Sequence, residues 1–528
     1  MDRRRSSGSY FTPDRLTRWL VRRAVQPAWR AWLRATAAGQ RATAPPRIVD
    51  PAMGTGHFLA AAQAFIAARL AVLACRCPNH PALRQVGADA RTFVLNNCLW
   101  GLDSDAVAVA AARVGLWLAA GAPRRAPGLE RLRLADALID PSIAPSDFDV
   151  VIGNPPYGKP FDQAYRRAVR NRFTGCRHNA DLSVAFVGLA RNLARPSGRI
   201  GLVLPKPLTY SVAWRQLRRE VTPEIVAVCD VECGWREVRL EQVLMVLSPG
   251  AKRATYTSVR ADHGGFARGP RCATAVAARL DILPVGTRAR DWRRFERLRC
   301  GSLTIGDICK TARGLPAQSK LRREGNIPVL GGRDLVPFGW RSTTGFLAAA
   351  DVPPELVNRP RLLFQNIVAH VRRPRPHLRL IGTWHAGGVA TLDTVNNLVA
   401  RRGDVDLWAM LALLHSKLVN WYVYTFVYNR AVRTMHFDQC FLDKIPLPAH
   451  LDEHATALAA AARRATAITS AWCDAVGYDR TRPRQPAHRN RATRCEAIEV
   501  VNLETELRDI QREIDLLARR AYGLATAD

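Results

Sequence analysis

"RIVDPAMGTGHFLAAAQAFIAARLAVLAC", residues 47–75, decides how the chain is built. Ile48 and Val49 open a short apolar strand, Asp50 to Gly56 form a glycine-rich turn, and a long apolar helix follows. Without side chains at Gly54 and Gly56 a ligand can approach the backbone, and the helix N-terminus favours electronegative groups. The turn departs from the G-x-G-x-x-G dinucleotide pattern, because His57 follows it and Leu59 takes the third glycine position. The same plan recurs in "LWGLDSDAVAVAAARVGLWLA" (99–119), and "LRLADALID" (132–140) and "FDVVIGNPPY" (148–157) supply two more strands with polar ends. "DLSVAFVGLARNLARPSGRIGLVLPKPL" (181–208) reads as helix, turn at Ser197-Gly198, and strand. Such alternation predicts an α/β, Rossmann-like parallel sheet with helices on both faces. Ligands of these sheets bind beyond the carboxyl ends of the strands, where all these turns fall.

At the amino end, "TPDRLTRWLVRRAV" (12–25) opens a helix, with Thr12 as N-cap and Pro13 in the first helical position. "SPGAKRATYTSVRADHGGFARGPRCATA" (248–275) is polar and basic and reads as an excursion or linker. Beyond it, short β-like runs alternate with loops, and two helical pieces close the chain around the basic loop "DRTRPRQPAHRNRATR" (479–494). The boundaries this suggests are a first α/β domain over 1–260, a linker over 261–299, a mixed α+β domain over 300–450 and a helical segment over 451–528.

Charge narrows the class of partner. The 528 residues carry a net charge of +33, and lysine contributes only seven of the 78 basic residues. Codon bias accounts for arginine over lysine but not for basic over acidic, so a polyanion such as nucleic acid is the favoured partner. "MDRRRSSGSYFTPDRLTRWL" has no apolar region of a secretory signal, and no uncharged apolar stretch reaches membrane-spanning length. Twelve scattered cysteines suit a reducing cytoplasm better than a disulfide framework. Cys75, Cys77 and His80 in "CRCPNH" match no zinc template, so no metal is expected.

"NPPY" carries the chemistry. An adenine amino group is a poor nucleophile because its lone pair is conjugated with the ring. The Asn154 side-chain oxygen and the Pro155 carbonyl offer acceptors for its two N–H groups, and Pro155 and Pro156 stiffen the backbone that presents them. Tyr157 offers a ring to stack on a base that has left the duplex. Upstream, Asp103 is placed to hold two ribose hydroxyls or to cap the next helix, a role Asp105 fits equally. Asp136 is placed to accept from an adenine amino group, or is a plain turn aspartate.

"FTP" (11–13), "DPAMGTGHFL" (50–59), "GLDSD" (101–105), "ADAL" (135–138) and "FDVVIGNPPYG" (148–158) together resemble motifs X, I, II, III and IV of the γ-class DNA amino-methyltransferases, above all TaqI-like and type IIG-related N6-adenine enzymes. The resemblance implies methyl transfer from S-adenosylmethionine to a flipped adenine in double-stranded DNA. By the same resemblance Thr12, Asp50, Pro51, Ala52, Gly54 and Gly56 contact the methionine part of the cofactor, Asp103 the ribose and Asp136 the adenine. Asn154, Pro155, Pro156 and Tyr157 hold the target, and Trp235 stands where relatives place a second stacking aromatic. Ala137 departs from the family, many members of which have an aromatic there against the cofactor adenine.

"IPVLGGRDLVPFG" (327–339), "DTVNNLVA" (393–400), "LWAMLALLHSKLVNWYV" (407–423), "FLDKIPLP" (441–448) and "IDLLARRAYGL" (514–524) resemble the family's target-recognition region. Asp393 and Asn397 read there as structural, and Arg333, Arg373, Arg430 and Arg433 as contacts to phosphate or guanine. No lysine has an acidic residue two positions before it, so a fused nuclease is not expected; the resemblance leaves open the modification arm of a restriction or phage-defence system, beside a separately encoded restriction endonuclease, and a solitary enzyme. Two other readings stand beside this one: transfer to another amine, on an RNA base or a protein glutamine, and a non-catalytic DNA-binding specificity protein.

Overall fold

The computed structural model describes residues 12–40, 44–87, 89–140, 146–158, 162–177, 179, 181–232, 240–262, 265–299, 303–371, 376–431, 436–480 and 494–524. They form two compact units, residues 1–288 and 289–528.

The first unit is built on a nine-stranded sheet in the order β3-β2-β1-β4-β5-β7-β6-β8-β9. The strands are β1 (Ile48–Asp50), β2 (Leu99–Asp103), β3 (Leu132–Leu134), β4 (Phe148–Gly153), β5 (Ala194–Pro205), β6 (Ile225–Asp230), β7 (Gln242–Leu247), β8 (Thr255–Asp262) and β9 (Gly265–Ala273). Strands β1 to β5 are mutually parallel, and β7 is antiparallel to both β5 and β6. Helices α1 (Asp14–Ala37), α2 (His57–Arg76), α3 (Ala90–Cys98), α4 (Ala106–Ala119), α5 (Gln163–Arg172) and α6 (Leu182–Leu193) fill the connections. Val150, Val151 and Ile152 are buried completely, the pattern of a strand covered on both faces. Each such side chain contributes about 1.5–3 kcal/mol by leaving water.

Register aligns the strand ends. Val49 lies opposite Val151, Asp50 opposite Gly101, and Asp103 opposite Leu134, so the turns after β1, β2, β3 and β4 leave the sheet at one edge.

Two readings of the sequence change here. Thr12 does not cap α1: Pro13 stands at the N-cap without a side-chain bond, and the Thr12 side chain is engaged elsewhere. The stretch expected as an excursion contributes β8 and β9, an antiparallel hairpin that closes the sheet. Its polarity comes from a hairpin buried mainly on one face, through Tyr256, Ser258, Val259 and Ala261. Helix α2 is long and apolar enough to cross a membrane by length and composition, although it contains Arg69. It buries Phe58, Leu59, Ile66 and Leu70 within the core of this unit.

Lys206, at the exit of β5, is 1% exposed and pairs with Asp230 at the end of β6 (3.1 Å) and Glu241 before β7 (3.2 Å). The two carboxylates hold the ammonium charged against the cost of burial.

The second unit carries a four-stranded antiparallel sheet in the order Cys309–Arg313, Val395–Ala400, Arg361–Gln365, Gly382–His385. A three-stranded sheet is formed by Gly345–Leu347, Ile327–Leu330 and Ala390–Thr391, and the helices Leu451–Ala475 and Arg494–Ala521 pack against each other. Asn397 accepts from the buried Arg361 guanidinium (2.9 Å) and donates to Thr391 (2.8 Å).

Lys206→Met should leave two buried carboxylates without their cation. Urea unfolding should show a loss of about 3–5 kcal/mol, largely recovered when Asp230→Asn and Glu241→Gln are added.

Candidate functional site

At the shared edge of β1, β2, β3 and β4 the chain gathers Asp50, Asp103, Asp136 and Asn154. Each side chain is held by backbone or by a partner distant in sequence. The Asp103 carboxylate binds the Gly54 N–H through one oxygen (2.8 Å) and the Asp105 N–H through the other (2.9 Å). Asp105 caps α4 by accepting from Val107 (2.9 Å), which settles the choice of cap between the two. Asp103 therefore ties the turn after β1 to the end of β2, and the Met53 N–H bonds the Leu102 carbonyl (2.9 Å) beside it.

Gly54 has φ +54°, and a side chain there would meet no atom within 4 Å, so this part of the turn faces open space. Gly56 differs: with φ +81° it packs on α4, and an added Cβ would lie 3.1 Å from Ala112. Gly54 thus exposes backbone, whereas Gly56 serves packing. Pro51 is buried, and Ala52 donates its N–H to Asp50 (3.0 Å).

Asp50 is 1% exposed, and its second carboxylate oxygen has no hydrogen-bond partner. Burial pushes its carboxyl up to about 8; the Ala52 N–H acts against this and the nearby Asp103 charge adds to it. An orphaned, buried oxygen beside an open glycine turn fits a ligand that brings a cation or a donor, as the α-ammonium of S-adenosylmethionine does.

The "NPPYG" turn is braced from three directions. Asn154 donates from its amide nitrogen to Thr12 Oγ1 (3.2 Å), and its amide oxygen accepts from the Tyr157 hydroxyl (2.5 Å). Thr12 is 3% exposed, so it supports Asn154 from within the fold. The Asn154 oxygen retains a second lone pair for an incoming donor. Burial keeps the Tyr157 hydroxyl protonated, and its ring packs partly against the core. Asp181, the N-cap of α6, accepts from the Gly158 N–H (3.1 Å), and Gly158 O accepts from the Leu182 N–H (2.8 Å). Pro155 is buried and Pro156 half-buried. At the strand end before the turn, a Cβ on Gly153 would lie 2.5 Å from Asp50 Oδ1, so only glycine admits that carboxylate.

Asp136 accepts from the Leu138 N–H (2.9 Å) and, through its other oxygen, from the Tyr165 hydroxyl on α5 (2.9 Å). Sequence reading missed Gly153, Tyr165 and Asp181. The N-cap pattern "DLS" before an apolar run signalled Asp181, whereas Tyr165 sits in the polar run "QAYRRAVRNR" with no signal of its own.

Trp235, Arg373 and Arg433 lie outside the described residues. Arg333 is exposed in the second unit, and its carbonyl accepts from Arg341 (2.9 Å). Arg430 is half-buried at φ +57°, with its N–H bonded to Tyr424 O (2.7 Å). His80 caps the helix Pro81–Val86 by accepting from Ala82 (3.2 Å), and Cys75 and Cys77 are exposed.

Below its raised value Asp50 keeps a proton that the unfolded chain gives up near pH 3.8. Folding therefore takes up a proton between these values, and stability falls as pH rises from about 4 to about 8, then levels. Asp50→Asn should flatten this fall, read by chemical unfolding of the ligand-free protein at pH 5 and pH 8.

Among solved structures, the Type IIL restriction-modification enzyme MmeI in complex with DNA is similar over 96% of this chain and 74% of its own, with TM-score 0.55 and 12% identity. The type IIG restriction endonuclease BpuSI aligns over 98% of this chain and 67% of its own (TM-score 0.39, 12% identity). The M protein of the Type I restriction enzyme EcoKI aligns over 59% and 60% (TM-score 0.35, 14% identity). No curated protein sequence matches the chain. The MmeI likeness shows a shared fold, and the first unit is built on a Rossmann-like α/β sheet. Residues 2–233, which hold the whole cradle from Thr12 to Tyr165, match the family model of the N-6 DNA methylases.

Proposed function

We propose that the chain is a DNA adenine-N6 methyltransferase of a restriction-modification system, using S-adenosylmethionine. The observation that carries this reading is the Asn154–Tyr157 turn, rigidly braced on the same sheet edge as Asp50, Asp103 and Asp136. The match of residues 2–233 to the N-6 DNA methylases supports it. So does the net charge of +33, which suits a polyanionic substrate.

Asp50, with the turn Pro51, Ala52 and Gly54 that Gly56 packs onto α4, would hold the methionine part of the cofactor, Asp103 the ribose, and Asp136 the adenine. When bound, the cofactor would supply a methyl group on a sulfonium: forming the N–C bond would break the S–C bond, leave a neutral thioether and release the surplus amine proton to solvent. The free lone pair of Asn154 Oδ1 and the Pro155 carbonyl accept the two amine hydrogens and draw the nitrogen's electron pair out of conjugation. Thr12 and Tyr157 fix the amide so that its oxygen, not its nitrogen, faces the amine. Pro156 keeps the turn from relaxing, and the Tyr157 ring stacks on the flipped base, with Trp235 as its counterpart. Arg333, Arg373, Arg430 and Arg433 contact phosphates or guanines, and a separately encoded endonuclease cuts unmodified sites.

Asn154→Ala should lower transfer of labelled methyl groups to duplex DNA by about 10²-fold or more while DNA binding in a filter assay stays within a few-fold. Label on RNA or protein with none on DNA would overturn the substrate. Sequencing of DNA from expressing cells should show N6-methyladenine at one recurring site.

A further inference from the structure

The turn after β3 raises a question the catalytic reading leaves open. Its Asp136 is followed by Ala137, a small residue 3% exposed, so this turn brings no aromatic side chain to a bound adenine. Yet the turn is gripped from outside by one helix at two points. Near the start of α5 the Tyr165 hydroxyl donates to Asp136 Oδ2 (2.9 Å). At its end the Arg172 guanidinium donates to the carbonyls of Leu138 (3.0 Å) and Asp140 (3.1 Å). The helix is itself fixed by Asp162, which accepts from the Tyr165 N–H (2.7 Å). Tyr165 is half-buried, with its hydroxyl on Asp136.

We propose that Tyr165 is a cofactor-binding residue: its ring forms the wall of the adenine subsite that Ala137 does not provide, and its hydroxyl orients Asp136 toward the adenine amino group. This rests on the reading of the chain as an S-adenosylmethionine-dependent methyltransferase. With one oxygen fixed by Leu138 N–H and the other by Tyr165, the carboxylate cannot rotate, and its remaining lone pairs have fixed directions. A planar ring held at the same carboxylate offers a purine a face to lie on. Because α5 follows the "NPPYG" turn in sequence, the same segment of chain then serves both the cofactor's purine and the target base.

Calorimetry of S-adenosylmethionine and S-adenosylhomocysteine binding to the full chain tests this. Tyr165→Ala should weaken both by about tenfold, and Tyr165→Phe, which keeps the ring and loses the bond to Asp136, by about threefold. The cofactor KM should rise in step, with kcat on duplex DNA at saturating cofactor within about twofold of the parent. Inhibition by 5′-methylthioadenosine, which carries only the nucleoside half, should be lost in Tyr165→Ala. Unchanged cofactor affinity in both variants overturns the proposal, as does a fall in kcat with the cofactor Kd unmoved. Unfolding curves matching the parent establish that the variants fold, and Tyr165→Phe decides the matter should Tyr165→Ala not. A parent chain that binds no S-adenosylmethionine sinks the methyltransferase reading instead.

Discussion

The site depends on a contact between a carboxylate and a missing side chain. Strands β1 and β4 run side by side, and Asp50 at the end of one leans across Gly153 at the end of the other, where any Cβ would collide with its oxygen. That pinch places the glycine turn and the "NPPY" turn next to each other. It also shuts Asp50 away from water, leaving one oxygen without a partner and its carboxyl raised to about 8. The fold therefore leaves a buried hydrogen-bonding position unmet beside the open glycine turn.

Around this pinch, the parts are held by bonds between distant segments. Thr12 reaches Asn154 across 142 residues, Asp103 reaches Gly54 across 49, and Tyr165 reaches Asp136 across 29. Each joins one strand-end turn to another element, so the edge of the sheet behaves as one preorganised surface in which no turn is positioned alone.

These bonds also explain what could be read in advance. The alternation of strands and helices, the open glycine turn and the stiff proline turn are local patterns, and residues 47–59 and 148–158 show them plainly. Asp103 and Asp105 were equally good caps in one dimension, and only the position of Gly54 N–H separates them. Thr12 has the look of a cap beside Pro13, but a capping bond is worth about 1 kcal/mol and yields to a buried partner elsewhere. Tyr165 was illegible because its helix is short and mostly polar, and its meaning lies wholly in a contact with another turn. The hairpin of β8 and β9 was hidden for a related reason: only five of its 17 strand residues are buried.

That hairpin has a consequence for the protein in a crowded solution. It ends the nine-stranded sheet, so β9 presents backbone groups that another strand could take up. Pro270 removes a donor from that margin, and exposed Arg268 and Arg271 put like charges in the path of any approaching copy. The opposite margin, β3, is three residues long. The composition that disguised these residues as a linker is what lets so broad a sheet stop growing.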